Sequence, residues 1–74
     1  MDIKKQFGSK IKRMRTKFGY TQEELAEKMQ IATRTLCGIE NGENFVKAET
    51  VEKFCEIFGV SMLELMSIDH IRPQ

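Results

Sequence analysis

The sequence is short of the residues that most chemistry needs: it has one proline, one histidine and two cysteines in 74 residues. Each shortage removes a class of protein. Cys37 and Cys55 form no CxxC motif, so the chain carries neither a disulfide framework nor the ligand spacing of a zinc site. Both read as reduced thiols, with Cys55 in the core, where free cysteine is usually found. His70 has no nucleophile or second base beside it, and no glycine loop is present to cradle a phosphate. The expectation is therefore no enzyme, no metal and no cofactor. No apolar run approaches the roughly 18 residues of a membrane span, and the N-terminal segment is rich in lysine and arginine, unlike a signal peptide. A cytoplasmic protein with no membrane partner follows. No stretch alternates apolar and polar residues as a strand does, and no repeat or low-complexity tract occurs.

What is present fits one compact unit. Hydrophobic side chains make up 41% and charged ones 31%, the balance of a single domain over 1–74 with one small core. A core of this size supplies only ~3–5 kcal/mol, which makes a partner subunit a natural support. The formal net charge is +1 and the pI 7.8, below the value near 9 that marks many nucleic-acid binders. The distribution says more than the sum. Lys4, Lys5, Lys10, Lys12, Arg13, Arg15 and Lys17 face only Asp2 within the first twenty residues, whereas acidic side chains prevail beyond them. Such a basic stretch serves either as a phosphate-facing patch or as a solvated helix face, and charge alone does not choose between them.

Ile3, Phe7, Ile11, Met14 and Phe18 recur at spacings of three and four, the stripe of an amphipathic helix opened by Asp2 and stopped at Gly19. In "YTQEEL", Thr21 and Glu24 form a capping box and Tyr20 can staple against Leu25, so a second helix starts there. It carries Leu25, Ala26 and Met29. A third helix over about 33–40 turns Leu36 and Ile39 inward and ends at Asn41-Gly42. Val51, Phe54, Cys55 and Phe58 mark a fourth that closes on Gly59, and "VSMLEL" repeats the cap with Ser61 and Glu64 to open a brief fifth. The prediction is an all-α fold of five helices with a helix-turn-helix at about 21–41 and a tail over 67–74.

The stretch "YTQEELAEKMQIATRTLCGIENG" resembles the helix-turn-helix of the lambda-repressor and Cro-like (XRE-type) family of phage and bacterial regulators. The likeness continues through "ETVEKFCEIFGVSMLEL" and covers roughly residues 7–66. The resemblance implies that Gln22 holds a DNA phosphate and braces Thr33, and that Thr33, Arg34 and Gly38 read bases in the major groove. It further implies that Asn41 touches the DNA backbone and that Arg15 and Glu40 form a buried ion pair. A helix N-terminus suits Gln22's role, because free N–H groups and the helix dipole favour an anion there. An arginine in the major groove can bond guanine O6 and N7 together, worth ~1–3 kcal/mol of discrimination. Glycine at 38, four positions after Arg34, leaves room for the helix to settle beside that long side chain.

The departures from the family pattern are specific. Gln30 replaces a common turn glycine, which places a non-glycine residue at positive φ for about 1 kcal/mol. Ala32 stands at the usual Ser/Thr cap, a weakening of ~1 kcal/mol. Glu43 stands where a lysine or arginine often faces phosphate, and Lys47 opens the fourth helix against its dipole unless a phosphate lies near. Leu63, where the family usually has a polar residue, joins Met66, Ile68 and Ile71 in an unusually apolar C-terminus, as Phe45 and Val46 do in the loop. These residues are the candidates for a homodimer on a palindromic operator, with recognition helices about 34 Å apart. The resulting expectation is a sequence-specific double-stranded-DNA-binding transcriptional regulator of repressor type, with no small-molecule ligand. The alternative, favoured by Glu43 and Gly38, is a protein-interaction module on the same scaffold, such as an antitoxin or an accessory phage protein.

Overall fold

The computed structural model describes residues 2–44 and 46–66. The expectations for Phe45, Ile68, His70, Ile71 and the tail over 67–74 lie outside the described residues. Five helices are present among the described residues: α1 (Ile3–Lys17), α2 (Gln22–Met29), α3 (Thr33–Glu40), α4 (Ala48–Phe58) and α5 (Met62–Met66). No strand occurs among the described residues.

The boundaries follow from local chemistry. Asp2 accepts hydrogen bonds from the backbone N–H groups of Lys4 (3.0 Å) and Lys5 (3.4 Å) and so opens α1. Thr21 Oγ1 accepts from Glu24 N at 3.0 Å while Glu24 Oε1 accepts from Thr21 N at 2.8 Å, closing the capping box of α2. Ser61 and Glu64 repeat the arrangement at α5, with 3.1 and 2.8 Å. The end of α2 is left-handed at Gln30, with φ 61° and ψ 41°. There Gln30 N bonds to Glu27 O (3.1 Å) and Ile31 N to Ala26 O (3.0 Å), the paired bonds that close a helix C-terminus. A non-glycine residue is unfavourable at this φ, and Lys53 of α4 holds it by donating to Gln30 Oε1 at 3.0 Å.

Ile11, Leu25, Met29, Leu36, Phe54 and Leu65 are the largest fully buried side chains, and they come from all five helices. Phe54 meets Phe7 edge-on at 6.2 Å and stacks with Phe58 at 6.1 Å, geometries that add to plain burial. Cys55, expected inside, sits at the margin, because one residue beyond Phe54 a helix has turned by about 100°. It is half-buried against the core. Val46 likewise packs its half-buried side chain on the core of its own chain.

One close approach sets the position of the third helix. A methyl group at Gly8 would lie 2.7 Å from the Glu40 carbonyl oxygen and closer still to that of Ile39. Only glycine lets α1 rest directly on the backbone at the end of α3.

Candidate nucleic-acid interface

Helix α3 buries Leu36, Gly38, Ile39 and Glu40 and leaves Thr33, Arg34, Thr35 and Asn41 exposed, with Cys37 half-buried. At 3.6 residues per turn, Arg34, Cys37, Gly38 and Asn41 share the side turned away from Leu36 and Ile39. The helix-turn-helix therefore presents one free flank, and the rest of α3 is bolted down.

The bolt is largely electrostatic. Arg15 Nε donates to Glu40 Oε2 at 2.7 Å, Nη2 donates to Oε1 at 3.3 Å, and Nη1 donates to the Tyr20 carbonyl at 2.9 Å. The Arg15 and Glu40 side chains are 11% and 1% exposed. A forked guanidinium satisfies both carboxylate oxygens at once, which is what a buried charge requires. Gln22, the first residue of α2, completes the set: its Nε2 donates to Glu40 Oε1 at 3.0 Å. The amide is thus directed to Glu40 and not to Thr33, the partner that the resemblance implies. One carboxylate fixes α1, α2 and α3 together.

At its other end α3 is open. Ala32 is extended (φ −69°, ψ 148°) and gives the first-turn N–H groups no side-chain cap. Lys47 opens α4 in the same uncapped way and is exposed. Asn41 closes α3, with its Nδ2 3.6 Å from Cys37 Sγ.

Gly38 corrects one expectation. The space beside it is not left open for the groove: Gly38 is buried, and a Cβ there would meet the side-chain amide of Asn44, 2.9 Å from its Cγ and closer to Nδ2. Asn44 folds back because its loop is tied to α3, with Glu43 N bonded to Gly38 O at 2.9 Å and Asn44 N at 3.4 Å. The absence of a side chain at 38 thus has a reason inside the protein. Sequence reasoning missed Asn44 and Lys53, since both act through contacts between segments that no local pattern announces. Of the dimer candidates, Leu63 is 82% and Met66 47% exposed, and Met62, which was not anticipated, is 44% exposed beside them. No helix is long and apolar enough to cross a membrane among the described residues.

Two short helices joined by a tight turn, with the second presenting its free flank from a clamped base, define a helix-turn-helix recognition unit. The helix-turn-helix family matches this chain over residues 11–65. The chain belongs to that family, of the XRE type, whose members are transcriptional regulators. It is 38% identical over 61 residues to the cryptic phage CTXphi transcriptional repressor RstR of Vibrio cholerae, covering 82% of this chain but only 55% of that repressor. The control protein C.MunI of a Mycoplasma species is 34% identical over 67 residues, covering 89% of this chain and 90% of that one. Among solved structures, the restriction-modification controller protein C.AhdI from Aeromonas hydrophila is similar, with TM-score 0.77, 26% identity and 82% and 92% of the two chains covered. The clp gene regulator ClgR of Corynebacterium glutamicum gives TM-score 0.81 at 25% identity, covering 86% of this chain and 82% of that one.

Proposed function

We propose that this chain is a sequence-specific double-stranded-DNA-binding transcriptional regulator of repressor type, acting as a single domain and as a symmetric homodimer on a palindromic operator in the cytoplasm. The observation that carries the reading is the exposed flank of α3: Arg34 and Asn41 project from it, with Thr33 exposed at the first position, while Leu36 and Ile39 fix the opposite side and the Arg15–Glu40 pair holds the helix end. Arg34 is the base reader, suited to the O6 and N7 edge of a guanine. Thr33 reads beside it. Gln22, Asn41 and Lys47 hold phosphates, Gln22 and Lys47 at helix N-termini where an anion is stabilised. The repressor and controller names of the relatives support this reading, and the exposed Leu63, Met66 and Met62 support a two-fold contact.

Selection of bound duplexes from a randomised pool tests the whole reading, because it reports preference, half-site spacing and palindromy together. Two half-sites about one helical turn apart are expected, with binding that weakens steeply as salt rises. An interaction with a protein partner through apolar side chains would be nearly indifferent to salt. No enriched duplex would refute the proposal.

A further inference from the structure

The turn that joins α2 to α3 is strained, and a third helix reaches across to it. Gln30 is the one non-glycine residue at positive φ among the described residues, at 61°. Lys53 of α4 donates to its Oε1 at 3.0 Å. We propose that Lys53 is a positioning residue for DNA reading: by tying α4 to the turn at Gln30, it holds Thr33 and Arg34 at the angle at which they meet the bases. The inference rests on the DNA-reading role of α3 proposed above and adds to it a residue that acts through the turn.

The balance of forces at the turn is what makes the tie matter. A side chain at left-handed φ disfavours the held turn by about fivefold or more. A hydrogen bond from a charged donor returns a factor of similar size. The Lys53 ammonium also stands at the C-terminal end of α2, where the helix dipole favours a cation. Its stem is half-buried, so the reach to Gln30 orders little that is not already ordered. Without Lys53 the held and released turns become comparable in population, and affinity for a site that requires the held turn falls with the fraction remaining. The tip of α3 is the part affected: Thr33 and Arg34 follow Gln30 by three and four positions, whereas the far end is locked by Arg15 and Glu40. The strut has a fixed foot as well. Phe54, beside Lys53, is fully buried, and Lys47 lies about 9 Å back along the same helix, so the phosphate contact proposed for Lys47 and the base contact of Arg34 are kept in register.

Lys53→Met, Lys53→Arg, Gln30→Ala and the double variant Lys53→Met with Gln30→Ala test this. Each is measured for affinity to the parent's preferred duplex and to random duplex, and for amide hydrogen exchange at Gln30 and Ile31, whose N–H groups are bonded within the turn. Lys53→Met is expected to lower the ratio of preferred to random affinity by about two- to threefold and to speed exchange at those two amides about fivefold. Gln30→Ala keeps the left-handed strain, removes the acceptor and gives the same profile. Lys53→Arg keeps a donor of the same charge and is expected to hold both readouts near the parent's. The double variant matches either single variant, because the second change has nothing left to remove. A Lys53→Met protein that keeps the parent's affinity ratio, whatever its exchange rate, overturns the inference while the DNA-reading role stands. Equal losses on preferred and random duplex overturn it too, since Lys53 would then act as a plain charge near phosphate. Losses that add in the double variant also overturn it, because the two residues would then act independently. A parent that prefers no duplex overturns both the inference and the reading on which it rests.

Discussion

Removing the carboxylate of Glu40 tests the structural account at its most demanding point. Glu40 Oε1 and Oε2 receive three hydrogen bonds, two from Arg15 and one from Gln22. Glu40→Ala leaves the Arg15 guanidinium, 11% exposed, with the Tyr20 carbonyl as its remaining partner among the described residues. Breaking one half of a buried pair costs ~3–5 kcal/mol, because the remaining charge is neither solvated nor compensated. Total stability for a chain of 74 residues is of order 4–11 kcal/mol. The loss is therefore a large fraction of what holds the fold. In urea, with m near ~1 kcal/mol/M for so small a protein, the midpoint is expected to fall by about 3–5 M. The melting temperature should drop by at least about 12 °C.

The double variant Arg15→Met with Glu40→Leu separates the pair's two roles. Apolar replacement of both partners removes the desolvation penalty together with the attraction, so stability should return to within ~2 kcal/mol of the parent, the Tyr20 carbonyl having lost its donor. Gln22 also loses its anchor. Binding to specific and random DNA should then weaken alike although the fold is restored. A Glu40→Ala protein within about 1 kcal/mol of the parent would refute the reasoning. So would a double variant no more stable than the worse single one.

Arg34→Ala should weaken binding to the preferred duplex by ~1–3 kcal/mol and flatten preference at one base pair, while Gln22→Ala weakens all duplexes equally; competition titrations against specific and random DNA distinguish the two. Leu63→Glu places a charge on the most exposed large apolar side chain of the described residues, and sedimentation at high micromolar concentration should show monomer where the parent shows dimer. Gln30→Gly removes the positive-φ strain but also the bond from Lys53, so urea melts should shift by less than about 1 kcal/mol, whereas Gln30→Val should destabilise by more. Burial, aided by neighbouring Glu52, pushes the Cys55 thiol up from its ordinary 9.0. The unfolded chain then gives up that proton more readily, so stability is fully present below pH 9 and falls as pH rises through the folded-state value; Cys55→Ala should flatten this slope in urea melts taken across that range.

The helices were legible wherever a boundary is written in consecutive residues. Asp2, the Thr21–Glu24 box and the Ser61–Glu64 box each act within three positions, the range over which a sequence motif carries its own geometry. The left-handed turn at Gln30 was legible through the family likeness, as a departure from its common turn glycine. Long-range contacts were not. That Asn44 returns to Gly38 depends on how the loop crosses α3, and that Lys53 reaches Gln30 depends on where α4 docks. Val46 read as a surface residue because the core is small enough to recruit the loop, which no local periodicity reveals. The pairing of Arg15 with Glu40 came from family likeness, since charge and spacing alone cannot pick one partner out of many.

The way Gly8 seats α1 on the carbonyl end of α3 sets the height of the third helix at its root. Its root lies between Leu36 and Glu40, gripped by core packing, by the guanidinium fork and by direct backbone contact. Its tip is the uncapped turn at Thr33 and Arg34. The other end is held too, because the turn before Thr33 is bonded back to α2 through Ile31 N and Ala26 O at 3.0 Å, so Thr33 and Arg34 are carried at a fixed height above α1. A small protein with little stability to spare can in this way fix the angle at which its third helix approaches what it meets.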